Sequence, residues 1–403
     1  LTLTLVGDTA ISLWLTVVAD RVGRRRVLVI GSGLMVLAGV VFVLSSNWVV
    51  LLVAATIGVI SPSGKEVGPF LSIEQAALSQ VIDARQRTHV FAWYNLVGSM
   101  AAGVGAISGG MLVDGLRRMG AGPLTSFKIV LGLYAGTGIV QAGLFWLLSK
   151  DVEVGAGDLR LGEKDPSPRS SPGVPVEGEA PSSLPSPPST GARGEESTGA
   201  RENRRGKFLG LGESKGIVAR LAGLFALDAV GGGFVIDSIV ALWFNLKFGL
   251  SPSHIGTIFF FSNIFAGFSG LVAARLANRF GLINTMVFTH LPSNILLMLV
   301  PLMPNSWSAI GVLLARFAIS QMDVPTRQSY TMAVVRPEER SAAAGVTGVA
   351  RTLGAAIAPV LAGPMLAKAS WMGLPFLIGG GVKIIYDVLL YRSFSKVAKG
   401  ESK

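Results

Sequence analysis

Residues 20–26 read Asp20-Arg21-Val22-Gly23-Arg24-Arg25-Arg26, and the stretches on either side, 3–19 and 27–46, carry a single charge between them, Asp8. A bilayer core of about 30 Å needs roughly 20 apolar residues of helix. A short charged turn between two such runs therefore reads as a helix–loop–helix whose loop lies at one membrane surface. Gly23 permits the tight turn. Asp20 can accept hydrogen bonds or face a helix N-terminus, where negative charge is favoured. Arg21, Arg24 and Arg25 can pair with acidic groups or with lipid phosphates.

The rest of the chain extends the same pattern. Half of the 403 residues are apolar, 15% are charged, and the mean hydropathy is +0.56. Apolar segments fall at 3–19, 27–46, 49–80, 90–112, 126–149, 217–246, 255–277, 284–303, 309–335, 342–366 and 372–395, eleven in all. The 51 glycines suit membrane helices, which use them for close backbone contact. A net charge of +11 raises the possibility of nucleic-acid binding, but the Arg and Lys sit at helix ends instead of on one basic face. The chain has no Cys, so disulfides, thiolate zinc sites and thiol nucleophiles are excluded. Its three His are not at metal-ligand spacing.

Residues 151–215 are a different polymer, with eight Pro between 166 and 188, many Ser and Gly, and the pentapeptide STGAR at both 189–193 and 197–201. Such a composition predicts a disordered linker. It divides the chain into an N-terminal membrane half, 1–150, and a C-terminal half, 216–403. The halves are related by an internal repeat. Ala19-Asp20-Arg21-Val22-Gly23 matches Ala277-Asn278-Arg279-Phe280-Gly281 at an offset of 258. At an offset of 253, Ile57-Gly58-Val59 matches Ile310-Gly311-Val312, Gln75 matches Gln328, Val81 Val334, Arg87 Arg340, and Gly110 Gly363. Paired halves around a linker are a transporter signature. Segment 217–246 has no first-half partner, which predicts one further helix upstream of Leu1 in the native product. Charge gives the orientation. Arg21, Arg24, Arg25, Arg26, Arg85, Arg87, Arg279, Arg336, Arg340, the linker and the Lys-rich C-terminus share one side, and the positive-inside rule makes that side cytoplasmic.

On these residues the chain resembles the major facilitator superfamily, whose signature G-x-x-x-D-R-x-G-R-R joins the second and third helices. Asp20, Arg21, Gly23, Arg24 and Arg25 match it, with Thr16 in place of the leading Gly. Asn278-Arg279-Phe280-Gly281 resembles the weaker second copy. Asp83-Ala84-Arg85-Gln86-Arg87 and Pro337-Glu338-Glu339-Arg340 resemble the loops before the fifth and eleventh helices. The fourth-helix motif R-x-x-Q-G is altered to Ser63-Gly64-Lys65-Glu66-Val67, while Arg316 holds the equivalent register in the tenth helix. The antiporter motif G-P-x-x-G-G reads Gly105-Ala106-Ile107-Ser108-Gly109-Gly110, and its repeat partner reads Ala358-Pro359-Val360-Leu361-Ala362-Gly363. The resemblance implies an all-α membrane protein of two pseudo-symmetric six-helix halves, with the first helix missing and eleven present. It also implies a proton-coupled antiporter of the drug/proton type, monomeric and multi-pass in the cell membrane. Asp20, Arg21, Gly23, Arg24, Arg25, Arg87 and Arg340 would act in gating, with Asp20 latching onto the N-terminus of the eleventh helix.

Ionisable groups inside membrane helices are expensive and usually have a task. Asp8, Lys65, Glu66, Asp228, Asp237, Arg316, Asp323, Lys383 and Asp387 are the candidates for the solute or proton site. On one continuous helix Arg316 and Asp323 share a face, and Pro325 frees a backbone carbonyl beside them. Asp323 and Arg327 form an i,i+4 pair, as do Lys383 and Asp387. Arg327, nearer the cytoplasmic end, is expected to snorkel. Asp228 and Asp237 flank Gly231-Gly232-Gly233, a candidate helix break. The pattern points to a secondary transporter of a small molecule, with protons as the coupling ion and no cofactor, metal or nucleic-acid partner. Uniport, proton symport and a non-transporting sensor or scaffold remain alternatives. An embedded enzyme has little support: Gly64-Lys65 lacks the spacing of a phosphate-binding loop, and no Gly-x-Ser-x-Gly occurs.

Overall fold

The computed structural model describes residues 1–58, 70, 73–74, 78, 87–149, 152, 212–336 and 339–400, and among these no strand occurs. The side chains of Asp8, Asp20, Arg21, Arg87 and Arg340, the whole of Lys65 and Glu66, and nearly all of the linker lie outside the described residues. The first group of helices is α1 (Thr2–Val22), α2 (Arg24–Leu44), α3 (Trp48–Ile57), α4 (Arg87–Arg118) and α5 (Pro123–Trp146). The second is α6 (Lys215–Gly233), α7 (Asp237–Phe248), α8 (Pro252–Phe280), α9 (Leu282–Leu299), α10 (Ser306–Ser320), α11 (Asp323–Val334), α12 (Arg340–Ala367) and α13 (Leu374–Gly400).

The repeat read in the sequence is a repeat of structure. Gly23 separates α1 from α2 at φ 107°, and Gly281 separates α8 from α9 at φ 84°. Both are in the positive-φ region that only glycine enters cheaply, at the 258-residue offset. Arg87 and Arg340, paired at the 253-residue offset, open α4 and α12. Each group makes its own contacts: α2 runs along α5, α6 packs on α12 and α13, and α9 packs on α10, α11 and α13. The two halves meet where α4 lies along α8 and α1 touches α12. In the first of these contacts the backbones nearly touch. A Cβ at Gly110 would collide with the Pro252 carbonyl, and one at Gly256 with the Ala106 carbonyl. Gly98, Gly105, Gly109 and Gly363 border open space instead.

Two predicted spans are broken. Segment 217–246 ends its first helix at Gly233 and restarts at Asp237, with Ile236 extended at φ −62°, ψ 154°. The glycines are not the break itself. A Cβ on Gly231 would press on Gly379 and Lys383, and one on Gly233 on Ala355 and Ala358, so they let α6 lie against α13 and α12. Segment 309–335 stops at Ser320 and restarts at Asp323. Pro325 therefore sits in a first turn, where its missing N–H costs little. The Met322 carbonyl that opens this turn is met by the Thr326 hydroxyl, Oγ1 to O 3.0 Å.

Apolar side chains such as Trp14, Leu44, Leu147 and Trp307 face outward, Trp307 at 80% exposure. In water this surface would be untenable, but hydrocarbon is its proper solvent. Trp48 and Trp307 open α3 and α10, and Trp146 ends α5, as in an interfacial aromatic belt.

Candidate functional site

The arginine-rich loop holds helix ends together. Arg24 Nη1 donates to the Val152 carbonyl and Arg25 Nη1 to the Leu148 carbonyl, both at 3.4 Å. The Arg25 guanidinium lies 5.1 Å above the Trp146 ring. These carbonyls follow the C-terminus of α5, where unpaired acceptors and the helix dipole attract cations. The second half uses a carboxylate at a helix start. Glu339, 4% exposed, accepts from the Gly212 and Ser214 amides at 2.9 and 3.1 Å. It thereby satisfies two donors where the linker rejoins α6, and Ser214 Oγ accepts from the Arg336 amide at 3.3 Å.

The chemistry is concentrated in the second half. Asp228, on α6, is 4% exposed. It receives Lys383 Nζ of α13 at 2.6 Å and Arg327 Nη1 of α11 at 3.2 Å. The same Arg327 nitrogen lies 3.0 Å from Asp323, one turn earlier on α11. His290, on α9, stands between two carboxylates, with Nδ1 2.8 Å from Asp387 and Nε2 3.8 Å from Asp228. Asn294 Nδ2 donates to Asp387 at 2.9 Å. Four helices thus converge on one continuous chain: Asp323, Arg327, Asp228 with Lys383, His290, Asp387. Two apolar clusters enclose it. One is built on Trp243, Phe244, Leu313 and Phe376, the other on Phe225, Met286, Tyr330 and Tyr386. Excluding water strengthens every electrostatic term inside, and makes an unpaired member costly.

Several expectations change. Lys383 and Asp387 do not pair along α13: Lys383 goes to Asp228, and Asp387 to His290 and Asn294. Helical spacing allows a contact but does not choose among partners on other helices. Arg327 does not snorkel, because at 4% exposure it is held by two carboxylates. Arg316 and Asp323 are on opposite sides of the α10–α11 break, so the single-helix argument for a shared face fails. Asp323 still contributes to the field at Arg316, together with Asp237 and Asp228. Asp237 opens α7 and is half-buried.

His290 and Asn294 were missed, because the His were judged only by metal-ligand spacing. Arg351 was missed too, although it lies eleven residues into α12 and met the criterion that found the others. Among the described residues no group of His, Asp and Glu is arranged to hold a metal ion.

The family model described as the Major Facilitator Superfamily matches residues 1–359 and 221–403. A protein of Saccharomyces cerevisiae, "Uncharacterized membrane protein YJR124C", is 32% identical over 393 residues, covering 97% of this chain and 84% of that protein. Among solved structures, a D-xylose-proton symporter superposes with a TM-score of 0.67 at 12% identity, covering 97% of this chain and 85% of the other. The nucleoside transporter NupG superposes at 0.64 and 11% identity, covering 98% and 90%. At such identities the two structures speak for the fold alone.

Proposed function

The chain belongs to the Major Facilitator Superfamily, so it is a multi-pass membrane transporter and not an enzyme, and from that premise we propose that it couples proton movement to export of a small solute by alternating access. The observation that carries the coupling is the enclosed chain from Asp323 through Arg327, Asp228 and His290 to Asp387. It contains carboxylates and an imidazole, groups that can take up and release a proton, joined at hydrogen-bond or near-hydrogen-bond distance. Asp323, at the start of α11 beside a helix break, is the member assigned to load and unload the proton. Protonating Asp323 frees Arg327 to bear wholly on Asp228, and this relays the change to α6, α9 and α13. Helix breaks at membrane depth recur in transporters where coupling ions bind.

The direction rests on the close contact of α4 with α8. Backbone contact at Gly110–Pro252 and Ala106–Gly256 lets the halves rock about a small-residue seam. The family resemblance associates this glycine pattern with proton antiport. The arginine-rich side, the linker 151–215 and the C-terminus are assigned to the cytoplasm, the halves to 1–150 and 216–403, the protein to the cell membrane, and the working unit to a monomer.

Inside-out vesicles test the direction. An imposed gradient, acidic inside, should drive solute into the lumen. Accumulation in right-side-out vesicles under an inward proton gradient would mark symport, which is the activity named for the D-xylose-proton relative of the same fold.

A further inference from the structure

Arg316 is the one intramembrane cation of the candidate set, among those whose side chains are described, that the charge chain leaves unused. It lies on α10, ten residues from Ser306, so about 15 Å below the α10 N-terminus. Asp237 lies eleven residues from the Phe248 end of α7, a similar depth on the same side. The Arg316 Nε is buried and has no hydrogen-bond partner, and among the described residues no carboxylate comes within ion-pair distance of the guanidinium. The guanidinium lies over the ring of its own neighbour, Phe317, 5.0 Å from the centroid.

A guanidinium cannot escape this position by losing its proton. Leaving it unpaired in the membrane interior is costly, and three carboxylates are near enough to act on it without pairing. Asp228 is taken by Lys383 and Arg327, and Asp323 by Arg327. Asp237, in the first turn of α7, acts on Arg316 from beyond ion-pair distance. The N-termini of α7 and α11 both begin at the breaks, and neither Ile236 nor Met322 supplies a side-chain cap. Half-helix N-termini at such breaks attract anionic groups. The Arg fork matches a planar oxyanion with two parallel hydrogen bonds.

We infer that Arg316 is the docking cation for an anionic head group, a carboxylate or phosphate, on the solute. The inference rests on the transporter reading and adds a substrate class to it. It also divides the labour of the second half: the paired chain handles protons, and the unpaired guanidinium holds the solute.

The test uses the full chain, purified in detergent. Thermal unfolding is followed with benzoate, lactate, succinate, citrate and glycerol 3-phosphate, each set against its neutral amide or alcohol. At least one acid should stabilise saturably while its neutral counterpart does not, and carboxylates against glycerol 3-phosphate tell the two oxyanions apart. Arg316→Gln should weaken that binding about tenfold to a hundredfold, the loss expected for a charge-assisted pair. Arg316→Lys, which keeps the charge without the fork, should retain part of it and guards against simple misfolding. Stabilisation by none of these acids, or an undiminished effect in Arg316→Gln, overturns the inference. A counterflow assay in liposomes separates the two claims. Acid binding lost in Arg316→Gln, without counterflow by the native protein, would leave the anion site standing and sink transport. Counterflow of neutral or cationic solutes only would do the reverse.

Discussion

Asp228 is the residue on which the buried network turns, since two cations and an imidazole converge on one carboxylate. Removing one partner of a buried pair leaves the others uncompensated, at a cost of about 3–5 kcal/mol. Asp228→Asn should therefore lower the melting temperature in detergent by several degrees. The double variant D228L/K383M keeps the Arg327–Asp323 pair and should recover most of that loss. Equal stability of Asp228→Asn and the native chain would show that these contacts carry little energy. Much of this was visible at the residue level: Asp228, Asp323, Lys383 and Asp387 stood out as charges in apolar segments. Of their pairings only Asp323 with Arg327, one turn apart, could be read. Spacing within one helix favoured Lys383 with Asp387, but the real partners come from α6 and α9, and only the packing of four helices selects them. His290 was invisible for another reason: a lone imidazole on a helix gives no pattern of its own.

At the scale of elements, the proposed mechanics fall on the α4–α8 seam and the loop at Gly23. The native chain has no cysteine, so paired cysteines can be introduced without a background. Ser99→Cys with Gly267→Cys places two thiols across the same α4–α8 contact, where a Cβ on Gly267 would come 3.3 Å from that of Ser99. An oxidant should cross-link them and stop transport, and a reductant should restore it. Full transport by the cross-linked protein would mean that the halves do not move apart there. At the loop, Asp20→Asn should lower turnover much more than expression. Normal turnover would reduce the motif to a topogenic signal. The helix boundaries at Gly23 and Gly281 could be read from the repeat, because glycine at a charged turn has a single conformational reason. The breaks at residues 234–236 and 321–322 were harder. Gly231-Gly232-Gly233 pointed to the right neighbourhood, but those glycines serve contacts with α12 and α13, and the chain leaves the helix one residue later. Nothing in the sequence around Gln321 marks the second break except Pro325, which favours a helix start as readily as a kink.

For the whole molecule, the two halves share a backbone plan and differ in chemistry. The repeat predicted the shared plan from offsets of 258 and 253, and turns and helix starts recur at those offsets. Among the described residues the enclosed charge chain belongs to the second half alone. On the function proposed above, that asymmetry would make one half the coupling unit and leave the other to rock against it. The most direct measurement is proton flux in liposomes containing the purified chain, followed with an internal pH dye while a solute gradient is imposed. The native protein should move protons opposite to the solute. Asp323→Asn should exchange labelled for unlabelled solute at a near-native rate while moving no protons and building no gradient. Proton-driven uphill transport that survives intact in Asp323→Asn would contradict the account.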